Sequence, residues 1–278
     1  MRIVSLHDRG RIERFLRRDP GLHLYALGDL DDFFWPSTVW LGIEDDDTTA
    51  QRGAPELREV ALLYVAPRPP VLLLFSEEPG ALAARALLRG ILSVLPREVY
   101  AHLSPGLAAI VTDAFHPDPH GEHVRMVWRD RAAAGRVDVS GAVRLGPADA
   151  PALDRLYRES YPGNWFDPRM LETGHTWGVR SGGRIVSVAG LHVYSAAHRV
   201  AAIGNVATHP DFRRRGLGTA VCARLCLDLA GECETIGLNV KADNATAVRS
   251  YERIGFVAAT RYEEYSLTAI TNTAPAPE

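Results

Sequence analysis

The pattern of hydrophobic and polar positions predicts the same order of elements twice along the chain. Each half is predicted to contain a strand, two helices, three strands, a helix, a strand, a helix and a strand. The first half has predicted strands at 2–5, 39–44, 59–65, 71–75, 99–103 and 123–128, and helices at 8–18, 22–30, 82–95 and 106–115. The second half has predicted strands at 143–145, 177–180, 184–194, 200–208, 235–240 and 262–267, and helices at 147–160, from 167, from 216 and at 244–255.

The repeated order predicts two domains in tandem, which is an ordinary number for a chain of 278 residues. We expect the first domain at 1–130, a polar linker at 131–141 and the second domain at 142–268. The last residues, 269–278, are polar and contain prolines, so we expect them to form a disordered tail.

A glycine- and arginine-rich turn separates a strand from a helix in the second half. Pro210 follows the strand 200–208 and cannot continue a ladder, and Leu217 begins a helical period. Glycines between them let backbone N–H groups approach a ligand, and a helix N-terminus attracts anions. The turn is therefore predicted to bind a pyrophosphate. The alternative is a solvated surface turn that enters a helix with the help of glycine.

A second motif lies on the next helix, where Asn244, Ala247 and Tyr251 share one face. That face offers an amide, a gap and a phenol over roughly 10 Å, at 1.5 Å per residue. A narrow, amide-containing arm of a ligand fits such a face. The alternative for Tyr251 is a half-buried tyrosine that packs on the core.

Taken together, the two motifs resemble the acetyl-CoA site of the GNAT N-acetyltransferase superfamily, and residues 161–265 are similar to its glycine N-acyltransferase-like branch. The resemblance implies an α/β (α+β) fold in which each domain is a mixed, mostly antiparallel sheet flanked by helices. It also implies that acetyl-CoA, the family's co-substrate, is bound by Val206, Ala207, Thr208, Arg213, Arg214, Arg215, Gly216, Leu217, Gly218, Thr219, Asn244, Ala247 and Tyr251.

The first half carries a different sequence where its own pyrophosphate turn is expected. Ser-Glu-Glu-Pro-Gly at 76–80 places two carboxylates there, and these would repel a pyrophosphate. We therefore expect a degenerate GNAT-like domain without a cofactor site. This plan resembles tandem GNAT enzymes with one working half, mycothiol synthase among them.

Amine attack on a thioester requires an oxyanion donor, an acid for the thiolate and a route for the amine proton. The resemblance implies that backbone N–H groups of strand 200–208 bind the oxyanion, and we expect a bulge at Gly204 and Asn205 to separate this strand from its neighbour. Because a phenol is protonated at neutral pH, Tyr251 is predicted to be the general acid.

The general base is not evident from the sequence. Histone-type members carry a glutamate on the equivalent strand, whereas this chain has Ala202 there. His192, on the preceding strand, is the candidate base, although a lone histidine is more often a core or surface residue. A water chain or an amine that arrives neutral would serve instead. The predicted acceptor residues are Asn164, Trp165, Phe166, His175 and Asn205, and the aromatic residues among them have the alternative role of closing a domain interface.

Composition limits the possible partners and location. The net charge of −3 gives no sign of nucleic acid as a partner, and no apolar run is long enough for a membrane span. The N-terminus has no signal-peptide pattern, so we expect a cytoplasmic protein, either a monomer or a homodimer. Cys222, Cys226 and Cys233 have no nearby histidine, so we expect buried free thiols and no metal site.

The sequence thus predicts an acyl-CoA-dependent N-acyltransferase. Acetyl is the favoured acyl group, and a small amine or amino acid is the favoured acceptor. Two alternatives remain: an acetyl-CoA-binding module without turnover, which the missing carboxylate permits, and an aminoacyl-tRNA-dependent transferase. The acidic net charge argues against the second.

Overall fold

The computed structural model describes residues 1–45, 55–78 and 80–270, and these form two compact units. The first unit contains Met1–Ala26, Asp32–His123 and the chain from Arg261 onward; the second contains Leu27–Asp31 and Val124–Thr260. From residue 271 on, the predicted tail lies outside the described residues.

The first unit is built on a mixed sheet. Its elements are β1 (Arg2–Leu6), α1 (Arg9–Leu16), α2 (Leu24–Gly28, whose last two residues belong to the second unit), β2 (Thr38–Glu44), β3 (Leu57–Tyr64), β4 (Val71–Leu74), α3 (Leu82–Ile91), β5 (Glu98–Leu103), α4 (Ala108–Val111) and β6 (Phe115–Trp128). Strands β1 to β4 pair antiparallel in order, and β4 pairs parallel with β5. Residues 263–268 of the last strand, β12 (Phe256–Ala269), pair antiparallel with β5.

The second unit repeats this pairing. Its further elements are α5 (Arg131–Ala134), β7 (Ala142–Leu145), α6 (Ala150–Ser160), β8 (Thr176–Ser181), β9 (Arg184–Ser195), β10 (Val200–Thr208), α7 (Leu217–Leu229), β11 (Thr235–Lys241) and α8 (Ala245–Arg253). Strands β7 to β10 pair antiparallel in order, and β10 pairs parallel with β11. Each unit therefore has the mixed, mostly antiparallel sheet that was expected.

Alternating apolar side chains build the core of each sheet. In the first unit, Leu72 and Leu74 on β4 and Ala101 and Leu103 on β5 pack against α3 and α4 in one cluster of buried residues. In the second unit, the apolar face of α6 packs against β9 through Leu153, Leu156 and Val188. Burying side chains of this size contributes about 1.5–3 kcal/mol each, so these faces fix which side of each strand points inward.

Several predicted elements differ from those observed, and the strands predicted at 123–128 and 262–267 begin earlier, at Phe115 and Phe256. The helix expected at 106–115 is only one turn, α4, because β6 starts at Phe115. The short helix expected from 167 is a 3₁₀ helix, Pro168–Thr173. The polar stretch 131–141 contains α5, which the Asp130 side chain caps by accepting from two backbone N–H groups, and whose Ala133 and Ala134 are buried.

The expected buried free thiols are confirmed. Cys222, Cys226 and Cys233 are all buried and unpaired, and burial raises the pKa of Cys222 to about 12. Among the described residues, no group of metal-ligating side chains has an arrangement that would hold an ion. None of the helices in the described part of the chain has the length and apolar character needed to cross a bilayer.

A buried carboxylate, Glu264, stabilises the pairing of β5 and β12 in the first unit. Glu264 accepts hydrogen bonds from the Tyr262 hydroxyl at 2.8 Å and from the Tyr100 hydroxyl, and His123 Nε2 lies 3.5 Å from it. Burial alone would raise the pKa of Glu264, but the charges of His102 and His123 and the two phenols outweigh it and lower that pKa. Its stabilisation is therefore present above the unfolded-state pKa and is lost as the pH falls through the folded-state pKa.

We expect Glu264→Gln to lower the free energy of unfolding by about 2 kcal/mol at neutral pH, because a hydrogen-bonded buried charge is lost. Urea denaturation at several pH values measures this. The difference from wild type should shrink towards acid pH. Glu98→Gln, an exposed position on β5, is the matched control and should change little. Equal effects of the two substitutions would contradict this account of Glu264.

Candidate active site

Strands β10 and β11 separate halfway along their length. Their parallel pairing runs from Val200↔Thr235 to Ile203↔Leu238, although β10 continues to Thr208 and β11 to Lys241. The register between β10 and β9 shifts between Gly204 and Ala207, and Asn205 has a left-handed φ of 52°. The predicted bulge is therefore confirmed. It leaves the backbone of β10 beyond Ile203 without a β11 partner.

The bulge is held from two sides. The Tyr157 hydroxyl on α6 donates to the Asn205 carbonyl at 2.9 Å, and Asn205 Nδ2 lies 3.5 Å from the Trp165 carbonyl. On β9, the ring of His192 covers Gly204, since a Cβ at Gly204 would lie 1.9 Å from His192 Cδ2. The structure therefore brings His192, Asn205 and Trp165 together around the bulge of β10.

Because the ring of His192 occupies the space of a Cβ, we expect Gly204→Ala to destabilise the protein by about 1–3 kcal/mol, as overpacking does. Adding His192→Ala should recover much of that loss. Urea denaturation of both single variants and the double variant measures the coupling. Strictly additive effects would contradict the packing of this ring on Gly204.

The glycine-rich turn forms the start of α7. Gly216 has a φ of 77° and no side chain caps the helix, so the first-turn N–H groups are left for a ligand. A Cβ at Gly218 would lie 3.3 Å from Thr208 Oγ1, so this glycine lets the helix approach the end of β10 closely. Ser187 Oγ lies 2.8 Å from Thr208 Oγ1.

The three arginines of the turn have different surroundings. Arg213 donates to the Thr208 carbonyl at 3.1 Å and to the Ser160 carbonyl at 3.3 Å, so it supports the turn. Arg215 donates to the Asp211 carbonyl at 2.9 Å. Arg214 is exposed and makes no hydrogen bond or ion pair within the described part of the chain, which leaves its guanidinium for an anion.

Helix α8 begins with a side-chain cap. Asn244 Oδ1 accepts from the Ala247 backbone N–H at 3.1 Å, so the amide nitrogen of Asn244 keeps its donors for a ligand. Tyr251 is half-buried and its ring meets Phe256 edge-on, with the centroids 5.9 Å apart. None of the residues of α8 is fully buried, so the predicted face of Ala247 and Tyr251 is accessible.

The loop after α6 borders a cavity of about 380 Å³. It is lined by Asp154, Tyr157, Arg158, Pro162, Gly163, Asn164 and Phe166. Two predicted acceptor residues, Asn164 and Phe166, are in this lining, and Trp165 between them is 47% exposed. Asp154, Tyr157 and Arg158 on α6 were not predicted as site residues. Their spacing on one helix face next to an aromatic loop was the available signal.

His175 lies apart from the other predicted acceptor residues. Its Nδ1 is 2.8 Å from Asp228 Oδ2 and its Nε2 is 3.4 Å from Glu232 Oε2. Asp228 is eleven residues after the start of α7, about 16 Å along the helix axis. Trp177 Nε1 also donates to Asp228, at 3.1 Å. This network ties the C-terminal half of α7 to β8.

Comparison with known proteins agrees with this geometry. Residues 147–256 match the model of the acetyltransferase (GNAT) family, and this stretch lies wholly within the second unit. A solved structure of a tandem GNAT protein from the clavulanic acid biosynthesis pathway superposes with a TM-score of 0.53 at 14% identity, covering 96% of this chain and 98% of that one.

Two relatives are similar in sequence. Mycothiol acetyltransferase from Mycobacterium leprae is 28% identical over 203 residues, which is 69% of this chain and 64% of that protein. Ribosomal protein bS18-alanine N-acetyltransferase from Salmonella typhimurium is 41% identical over 70 residues, 25% of this chain and 47% of that protein. The chain thus covers less than two thirds of either relative.

Over residues 147–256 the chain thus matches the acetyltransferase (GNAT) family, and the described chain has the fold of a tandem GNAT protein. The predicted fold class is confirmed.

Proposed function

We propose that the protein is an acetyl-CoA-dependent N-acetyltransferase of the glycine N-acyltransferase-like branch, which acts on a small amine or amino acid in the cytoplasm. Residues 142–268 would be its catalytic domain and 1–130 a domain without a cofactor site. One observation carries the proposal: β10 and β11 separate at the Asn205 bulge, directly before the uncapped N-terminus of α7. An exposed strand edge that leads to an anion-binding helix end suits a ligand with an amide arm and a pyrophosphate.

The residues around this cleft fit acetyl-CoA. The pyrophosphate would lie on the backbone N–H groups from Gly216 to Thr219, with Arg214 beside it. The pantetheine arm would pair with β10 at Val206, Ala207 and Thr208 and lie near Asn244 and Ala247. When bound, acetyl-CoA supplies the activated acetyl thioester.

Each catalytic task can be assigned to a group of this chain. A backbone N–H of β10 beyond the bulge would donate to the developing oxyanion. Tyr251, half-buried at the edge of α8, would protonate the departing thiolate. His192, whose ring packs on Gly204 beside the bulge, is the proposed base for the amine.

The acceptor is proposed to be small. The cavity bordered by Asn164 and Phe166 has about 380 Å³, which matches a small molecule better than a folded protein surface. It contains one carboxylate, from Asp154, and one guanidinium, from Arg158, so both a cationic and an anionic group of an acceptor would find a partner. These charges suit an amino acid or a related amine.

The first unit offers a poor place for a second cofactor. Glu77 and Glu78 are exposed between β4 and α3, where the equivalent turn would lie. Behind them, burial raises the pKa of Glu59 to about 7, although the Ser76 hydroxyl lowers it in part. Carboxylates at this position disfavour a pyrophosphate.

The proposal is tested by thiol release from acetyl-CoA with a panel of amines, amino acids and aminoglycosides. We expect release that depends on both acetyl-CoA and one class of amine. Binding of acetyl-CoA without turnover of any amine would favour a sensing module, which the absence of a carboxylate from the sequence of β10 would then explain.

A further inference from the structure

A buried polar atom at the bulge is left without a hydrogen bond. Asn205 is only 4% exposed, and its Oδ1 is buried with no partner among the described residues. The amide nitrogen of the same side chain is directed at the Trp165 carbonyl. A buried acceptor without a donor is costly, so its presence beside the cleft calls for a donor from outside the chain.

The backbone conformation explains why residue 205 tolerates a left-handed φ, but it does not explain the unsatisfied side-chain oxygen. Asn205 has a φ of 52°, which glycine adopts at less cost than asparagine. A glycine would satisfy the bulge, and the Tyr157 hydroxyl binds the backbone carbonyl, not the side chain. The side-chain oxygen therefore needs its own explanation.

The position of this oxygen indicates what donates to it. Asn205 directly precedes Val206, where β10 is proposed to bind the thioester arm, and it contacts the 161–166 loop that borders the acceptor cavity. A group that reaches Oδ1 thus lies where the cofactor and the acceptor substrate meet. Oδ1 is a hydrogen-bond acceptor and therefore binds N–H groups. The N–H group expected at this place is that of the attacking amine.

We propose that Asn205 Oδ1 accepts a hydrogen bond from the amine nitrogen of the acceptor and orients its lone pair towards the thioester carbonyl. This inference rests on the proposed function. In the reaction the N–C bond forms, the C–S bond breaks, and the thiolate takes a proton from Tyr251. One N–H proton leaves to His192 or solvent, while Asn205 neither gains nor loses a proton.

The proposal defines a substrate class. A primary amine has two N–H bonds, so one can stay with Asn205 while the other loses its proton. A secondary amine has one, and its hydrogen bond to Asn205 would compete with deprotonation. The site is therefore built for primary amines.

The test uses two small matched nucleophiles, hydroxylamine and N-methylhydroxylamine, which require no further recognition by the acceptor cavity. Asn205→Gly keeps the left-handed backbone and removes the amide, whereas Asn205→Asp keeps an acceptor oxygen. Thiol release at saturating acetyl-CoA gives kcat/KM for each nucleophile, and calorimetry gives the Kd for CoA.

We expect Asn205→Gly to lower kcat/KM for hydroxylamine about 10-fold or more, since a hydrogen bond to a nitrogen that gains charge is lost. Asn205→Asp should retain most of the activity. The wild-type preference for hydroxylamine over N-methylhydroxylamine should exceed that of the uncatalysed reaction, and Asn205→Gly should lose that excess. The Kd for CoA should stay the same in both variants.

Two results would overturn the inference. Wild-type kcat/KM in Asn205→Gly would mean that Oδ1 binds only a water molecule. A loss of CoA affinity in that variant, about 10-fold or more, would mean that the oxygen serves the cofactor arm. Failure of the proposed function is distinguishable, because the wild-type protein itself would then bind no CoA or release no thiol.

Discussion

Replacement of Gly216 by glutamate is expected to abolish binding of acetyl-CoA. Gly216 has a φ of 77° and faces open space, so the new side chain strains the backbone without colliding with its neighbours. Its carboxylate would stand at the N-terminus of α7, where the pyrophosphate is proposed to bind, and two negative groups repel at that distance. Isothermal calorimetry should give one acetyl-CoA per wild-type chain and no measurable heat for the variant.

Two control variants separate charge from backbone strain. Gly183 has the same φ of 77° and also faces open space, in the turn between β8 and β9. Gly183→Glu should therefore bring equal strain and charge but leave acetyl-CoA binding intact. Gly216→Ala should weaken binding only modestly, because it adds strain without charge. Two acetyl-CoA molecules per chain, or unchanged affinity in Gly216→Glu, would contradict the assignment of the turn.

Tyr251→Phe is expected to lower kcat and kcat/KM together by about 100-fold while the affinity for CoA stays the same. The phenol is proposed to act only as charge develops on the sulfur, and general acid catalysis typically contributes this much or more. Phenylalanine keeps the ring that meets Phe256 edge-on, so the stability should change little. Thiol release under conditions where chemistry limits the rate measures the effect.

Tyr194→Phe is the matched control for this variant. The Tyr194 hydroxyl donates to Glu232 at 2.6 Å, beyond the C-terminal end of α7 and away from the turn. Its loss should leave turnover near the wild-type rate. If Tyr251→Phe also turned over at that rate, Tyr251 would be a packing residue and the thiolate would take its proton from elsewhere.

Local features of the site were predictable because their causes are local. The turn before α7 follows from Pro210, Gly216 and the helical period that begins at Leu217, all within a few residues of one another. The cap of α8 by Asn244 and the shared face of Ala247 and Tyr251 follow from helix geometry alone. The bulge at Gly204 and Asn205 was likewise indicated by two residues that tolerate unusual backbone conformations.

Residue pairs far apart in sequence were decided by the tertiary structure. Tyr157 reaches the Asn205 carbonyl across 48 residues, and His175 meets Asp228 across 53. No periodicity within either segment encodes such a partner, because each pairing depends on how a helix packs on the sheet. The unpartnered oxygen of Asn205 is of the same kind, since only the folded surroundings determine which of its atoms are satisfied.

The sequence by itself determined the order of elements, the glycine-rich turn before α7 and the shared face of α8, because helix periods, caps and glycine turns act over a few residues. Only the tertiary structure decided how the chain is divided between the units. Strand β6 contributes to the first unit up to His123 and to the second from Val124, and β12 passes from the second unit to the first after Thr260. Strand pairing depends on partners that are distant in sequence, and an alternating apolar strand of this kind fits more than one sheet equally well.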